Sequence, residues 1–359
     1  MKINLSLSLV CLTGLLSACS SNYITRITAD TPVAKLLEDG RYGNLYPGDK
    51  TYPVTCQENC YPPHPDVQCE TSAEHCQYIG AQTPPELNSG FTVRWLGHAS
   101  FVIQAPDGQQ ILLDPVSKQF DWPVDWAADW FADTHREPGL WLEGEQLAKT
   151  SAVLYSHLHY DHFNKADIAE IGNQAEYFVG LGSGDYFDQG GYKINEMDWY
   201  ASKSLGELTI HSVPAHHFNG RIWVPFIYDD NEKALWSAWL LEYQGKTLFF
   251  AGDTGYSAHF NDIHQRFGDI DICLIPIASY HHEEHSKWYR YVHTTPEDAL
   301  TAAAELNCKV MIPWGYGNAS WGMGDLSSHS ALLRLLAMYP RLNSEVPLLI
   351  LNEGDEVAL

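Results

Sequence analysis

The sequence predicts two mixed β-sheets with helices packed outside them. Ten runs of strand length are rich in β-branched and aromatic residues, and four helical patterns fall between some of them. Strands come first, and strand–helix alternation then follows in two halves, which is the order expected of paired sheets with outer helices. Hydrophobic residues make up 45% of the 359 residues and aromatics 13%, enough for a large packed core.

The chain opens MKINLSLSLVCLTGLLSACSS: one Lys, an apolar stretch short for a bilayer span, then small residues. Residues 1–18 are expected to be a lipoprotein signal peptide, because Leu16-Ser17-Ala18-Cys19 has the layout of a lipobox and Cys19 would carry the lipid. Ser20, not Asp, follows that Cys, which implies the outer membrane, facing the periplasm or the cell surface. No later segment offers a long uncharged apolar run, so the body is expected to be tethered rather than spanning. A formal net charge of −24 argues against nucleic acid as a partner, and membrane contact would rest on lipid and aromatic anchoring.

Residues 19–88 read as an irregular N-terminal extension. Within it, CQENCYPPHPDVQCETSAEHC holds Cys56, Cys60, Cys69 and Cys76 at spacings irregular for a zinc module, which points to two disulfides pinning a loop, in any of three pairings. Residues 89–359 form the predicted domain. Its strand-like runs are FTVRWL, SFVIQA, QQILLDP, SAVLYSH, ELTIHSVPA, SAWLLEYQ, KTLFFAGD, DICLIPIA, KVMIPWG and PLLILNEGDEVAL. The helical patterns are NKADIAEIG, SAHFNDIHQRFG, TPEDALTAAAELN and HSALLRLLAMYP. Cys273 and Cys308 fall in apolar runs and are expected to be buried free thiols. In DWPVDWAADWF, Trp122, Trp126 and Trp130 share a helical spacing after Pro123, fitting either a membrane-contacting face or a helix packed on its own domain.

The chemistry gathers in YSHLHYDHF. SAVLYS reads as a buried strand, so His157 and His159 emerge at its end two residues apart, pointing the same way toward one ion. Asp161 and His162 follow the turn, where they would reach a neighbouring position. Neutral imidazoles with carboxylates suit zinc, iron or manganese, and H-x-H-x-D-H is a specific metal motif.

Taken with RWLGHASFVI, ILLDP, VPAHHFNGR, DDNEKALWSAWLLE, FFAGDTGY, DICLIPI and HTTPEDA in that order, and with DGRYGNLYP in the extension, the chain resembles a metallo-β-lactamase-fold hydrolase. Within that fold it is similar to the N-acyl-phosphatidylethanolamine-hydrolysing phospholipase D family. The resemblance implies an α/β, four-layer αββα sandwich. It implies that His157, His159 and His217 hold a first zinc ion, with His217 selected over His216 by the P-A-x-H pattern. Asp253 would bridge to a second ion begun by Asp161 and His162. Asp114 would orient the His loop from behind, and His98 either shares that part or is a core histidine. His293 matches a histidine near the substrate phosphate, and Asp161 would hold the attacking water. The implied reaction hydrolyses a membrane-lipid phosphodiester, with the lipid anchor keeping enzyme beside substrate.

One position departs. The family carries a second-site histidine in a run His-Trp-Gly, and here the chain reads IPWGYG with Pro313 in its place. Three readings stay open: replacement by another histidine, with His281, His282, His285 and His293 nearby; one tight metal with the second weak or absent; or loss of catalysis, leaving a zinc-binding lipoprotein. A mononuclear lactone or ester hydrolase is the other enzymatic reading.

Overall fold

The computed structural model describes residues 21–48, 58–69, 76–117, 140–221, 223–224, 228–280, 290–317 and 327–359. Two sheets dominate. The first contains β1 (Tyr23–Ile27), β2 (Thr92–Gly97), β3 (Ser100–Gln104), β4 (Gln110–Leu113), β5 (Thr150–Leu154), β6 (Glu176–Gly180) and β7 (Lys193–Met197). The second contains β8 (Ser202–Leu205), β9 (Leu208–Val213), β10 (Ala238–Tyr243), β11 (Lys246–Phe250), β12 (Ile272–Pro276) and β13 (Val310–Trp314); β14 (Glu356–Ala358) returns to the first. The first sheet runs β1-β7-β6-β5-β4-β3-β2-β14, parallel from β1 through β4 and antiparallel beyond. The second runs β8 to β13 in order, with its last two pairings parallel.

The strands show why the layers form. In β5, Ala152 and Leu154 belong to the core shared by the two sheets, while Val153 and the following Tyr155 belong to a separate outer cluster. Phe178 and its neighbours Tyr177 and Val179 divide the same way in β6, as a period of two requires. The outer cluster is closed by α1 (Glu145–Ala148) and α2 (Lys165–Ile171), which bury Leu147, Ile168 and Ile171. On the far side, α3 (His259–Phe267), α4 (Pro296–Glu305) and α5 (Ser330–Arg341) cover the second sheet through Phe260, Ile263, Leu300, Leu332 and Leu335. The order helix, sheet, sheet, helix is the predicted sandwich. Truncating a buried inter-sheet side chain such as Leu154 would cost about 2–5 kcal/mol.

Two expectations change. The extension is not irregular throughout: β1 joins the first sheet as its edge strand, parallel to β7, so part of residues 19–88 is built into the fold. Asn22 fixes the entry to β1, its side chain donating to the Asp188 carbonyl and accepting from Gly190 N and Tyr192 N. Strands β6, β7 and β8 had also gone unread. Second, Cys273 and Cys308 are not free thiols but a disulfide, because the crossover through α4 returns Cys308 beside β12 with Cα atoms 6.0 Å apart. In the extension Cys69 pairs with Cys76 and Cys60 is disulfide-bonded too, while Cys56 lies outside the described residues. The leader with Cys19, the Trp122–Trp130 stretch, and His281, His282 and His285 also lie outside them. Among the described residues no helix is long and apolar enough to cross a membrane.

Candidate metal centre

The centre is assembled where strands of both sheets end. β5 stops at Leu154, and the loop 155–164 then runs to α2, whose N-cap Asn164 accepts from Asp167 N at 3.0 Å. Asp114 follows β4 directly, wholly buried and at a positive φ of 38°. It accepts from Ser156 N at 2.6 Å, from Ser156 Oγ at 2.5 Å and from His162 Nδ1 at 2.7 Å. Asp253 arrives from the loop after β11. Gly252 makes that approach possible: at φ 57° a Cβ there would lie 2.6 Å from Ser156 Cβ.

These contacts settle which ring nitrogens face inward. The Ser156 hydroxyl proton goes to Asp114, so Ser156 Oγ accepts from His157 Nδ1 at 2.8 Å and the Nε2 lone pair of His157 points into the centre. His217 Nδ1 faces the Val292 carbonyl at 2.9 Å and must donate to it, leaving Nε2 as an acceptor. His157 Nε2 and His217 Nε2 then stand 2.8 and 3.3 Å from His159 Nδ1. Burial, with repulsion from neighbouring histidines, holds His157 and His217 well below the ordinary imidazole pKa. Burial likewise takes His159 down to about 4, so all three are neutral donors at pH 7.

The adjoining group is ionic. His162 Nε2 lies 3.2 Å from Asp253 Oδ2 and 3.6 Å from Asp161 Oδ2. Burial opposes a charge on His162, but Asp253, Asp161 and Asp114 outweigh it and raise its pKa well above the usual value. Burial works against the Asp161 and Asp253 charges too, and is outweighed by His162 with His98 for Asp161 and with His293 for Asp253, so both carboxyls stay below the usual range. His98 Nε2 is 3.1 Å from Asp161 Oδ2, and His293 Nε2 is 3.1 Å from Asp253 Oδ2. Among the described residues, four sets of three could hold an ion: His157, His159 and His217; His98, Asp161 and His162; Asp114, His157 and His162; and His217, Asp253 and His293. Converging lone pairs on one side, and buried carboxylates drawing positive charge on the other, fit metal ions.

All nine site residues named from the sequence are therefore brought together. His216 turns away, its Nδ1 donating to the Tyr291 carbonyl at 2.8 Å. Pro313 lies inside β13 opposite Ile275. Sequence reasoning missed the residues that hold the loop. Arg221 donates to the carbonyls of Leu158 and Phe163 at 2.8 and 2.9 Å, either side of the His-x-Asp-His turn, and stacks over Tyr160 and Phe163. Asn219 accepts from Leu158 N at 2.8 Å. Asn44 of the extension accepts from His217 N and donates to its carbonyl at 3.0 and 2.9 Å. The motifs VPAHHFNGR and DGRYGNLYP contained all three, but nothing in them named the partner carbonyls and amides.

Residues 109–316 match the Beta-lactamase superfamily domain. An uncharacterised protein of Mycobacterium tuberculosis is 30% identical over 249 residues, 67% of this chain and 61% of its own length. The N-acyl-phosphatidylethanolamine-hydrolyzing phospholipase D 1 of Caenorhabditis elegans is 27% identical over 246 residues, 63% of this chain and 64% of that one. The Outer membrane protein RomA of Klebsiella pneumoniae is 28% identical over 115 residues, 32% of this chain and 79% of that one. The chain thus spans about three fifths of the length of the first curated relatives it matches. Among solved structures, an isothiocyanate hydrolase from Delia radicum gut bacteria shares the fold at a TM-score of 0.54 and 18% identity, covering 75% of this chain and 98% of that one. With the domain match running from β4 to just beyond β13, and His157, His159, Asp161, His162, His217, Asp253 and His293 inside it, the chain belongs to the beta-lactamase superfamily.

Proposed function

We propose that the protein is a metal-dependent hydrolase of lipid phosphodiesters of the N-acyl-phosphatidylethanolamine kind. The observation that carries the reading is the trio His157, His159 and His217, neutral and with lone pairs converging, set beside a carboxylate group that Asp253 joins to it. The trio would hold a first ion, Asp253 would be shared, and Asp161 with His162 would hold a second. Zinc suits these donors, and when bound it supplies Lewis acidity toward a phosphoryl oxygen and acidifies water. Asp161, kept ionised by His162 and His98, would orient the attacking water and accept its hydrogen bond. His293, beside Asp253, would donate to a phosphate oxygen as negative charge builds on it.

The substrate class rests on the likeness to the Caenorhabditis elegans phospholipase and on the run of motifs from PAHH to AGDTGY. The site is proposed to work at a membrane, with the chain held by lipid at Cys19 in the outer membrane, a compartment named for the Klebsiella pneumoniae relative. Purified protein would be given vesicles containing N-acyl-phosphatidylethanolamine, and separately a lactone. Release of N-acylethanolamine and phosphatidic acid, stopped by chelation and restored by zinc, is expected. Turnover of the lactone alone would replace the phosphodiester reading with ester hydrolysis, and bound metal with no turnover of either would make the protein a binder.

A further inference from the structure

We propose that His98 is a ligand of the second metal ion, filling the place of the histidine that Pro313 excludes. This rests on the reading that the centre binds metal, and not on the identity of the substrate.

His98 sits in the turn between β2 and β3, 4% exposed, and its ring centroid is 5.3 Å from that of His162. One of its ring nitrogens, a carboxylate oxygen of Asp161 and a ring nitrogen of His162 lie within 4.8 Å of one another. Four donors bound tetrahedrally at zinc distances of about 2.0–2.1 Å are about 3.3–3.4 Å apart. The separations found bracket that edge: 3.1 Å from His98 to Asp161, 3.6 Å from Asp161 to His162 and 3.2 Å from His162 to Asp253. His98, Asp161 and His162 thus form one set of three, two imidazoles and a carboxylate, with Asp253 reaching His162 from the other side and no residue of β13 among them.

The backbone gives an independent reason. His98 has φ 48°, a conformation uncommon for residues other than glycine. Its carbonyl is held there by Trp95 Nε1 at 2.9 Å, and Trp95 is itself almost wholly buried in the inter-sheet core. A left-handed non-glycine residue is strained and persists where its surroundings over-determine it. Here the turn aims an imidazole at the carboxylate of the metal loop. His293, the described member of the four histidines first suspected, groups with His217 and Asp253, on the first-ion side.

The rival role is a hydrogen bond that merely orients Asp161. Two variants separate the roles. His98→Gln keeps an N–H donor toward Asp161 but removes the imidazole ligand. His98→Cys offers a thiolate, which gives cobalt(II) an intense near-ultraviolet charge-transfer band only when sulfur touches the ion. Metal would be counted in protein purified without added metal, alongside far-ultraviolet circular dichroism and thermal melting. Two ions per chain in the parent, one in His98→Gln and the new band in cobalt-loaded His98→Cys are expected. His98→Gln with Pro313→His should recover the second ion. Two ions retained in His98→Gln, or a folded His98→Cys without the band, would overturn the assignment, as would a single ion in the parent. If His98→Cys fails to fold, the His98→Gln count decides alone. A parent that binds no metal would instead remove the proposed hydrolase.

Discussion

The two halves of the centre are held in different ways. The three-histidine half is framed by hydrogen bonds to backbone and hydroxyl groups: Val292 O on His217, Ser156 on His157, and the Asn44, Asn219 and Arg221 bonds to the surrounding backbone. The other half is held by charge, with Asp114, Asp161 and Asp253 facing His162 and with His98 and His293 at its margins. Neutral donors already oriented by hydrogen bonds can receive an ion with little rearrangement. Like-charged carboxylates brought together by burial need a cation to settle them. The first half is accordingly a preformed socket, and the second is completed by what enters it.

The sharpest way to break the contrast is His217→Ala. It removes a donor outright, so first-ion affinity and turnover should fall by more than the roughly 10–100-fold typical of outer partners, read by metal titration and initial rates. Equal loss of both ions would show that the halves are not separable. Asp114→Asn comes next, since Asp114 serves both halves through Ser156 and His162. A fall of about 10–100-fold in affinity for both ions is expected by the same titration. An effect confined to one ion would mean that only one of its branches matters.

Arg221→Ala tests the frame rather than the donors. It strips two buried carbonyls of their partner, at about 1–3 kcal/mol each, so melting temperature should drop while metal count in saturating zinc is unchanged. The smallest effect on the ions is expected from Asn44→Ala, faster release of the first ion measured by chelator competition, with a stability loss of about 1–3 kcal/mol for each unpaired backbone group of His217. Faster release of the second ion alone would contradict the assignment of Asn44 to the neutral half.

What could be read in the sequence follows from the range of each interaction. His157 and His159 were legible because an extended segment places alternate residues on one side, and SAVLY announces the strand that ends there. The apolar runs of β4, β5, β11 and β12 were legible for the same local reason. Strand β1 was not: YITRI is mostly exposed, so no alternation marks it, and its partner lies about 170 positions away. The Cys273–Cys308 bridge was hidden because apolar surroundings look alike around a free thiol and a bonded one. His217 over His216 came from resemblance, and the structure supplies the geometry: His217 Nε2 stands 3.3 Å from His159 Nδ1, while the His216 ring packs against Tyr291. Asn44 joins positions 173 apart, a pairing that no local pattern records.

The docking of Asn22 at the head of β1 bears on how the protein would sit at a membrane. With lipid on Cys19, three chain steps separate the anchored residue from Asn22, whose side chain is already bonded to the segment before β7. Three steps of 3.8 Å reach at most about 11 Å. So short a leash would not let the domain roam above the bilayer. On the proposed anchor it would confine the β1 edge to the headgroup zone and make the approach angle of the whole sandwich a property of the sheet's outermost strand, and lengthening this link would free the orientation without touching a single residue of the centre.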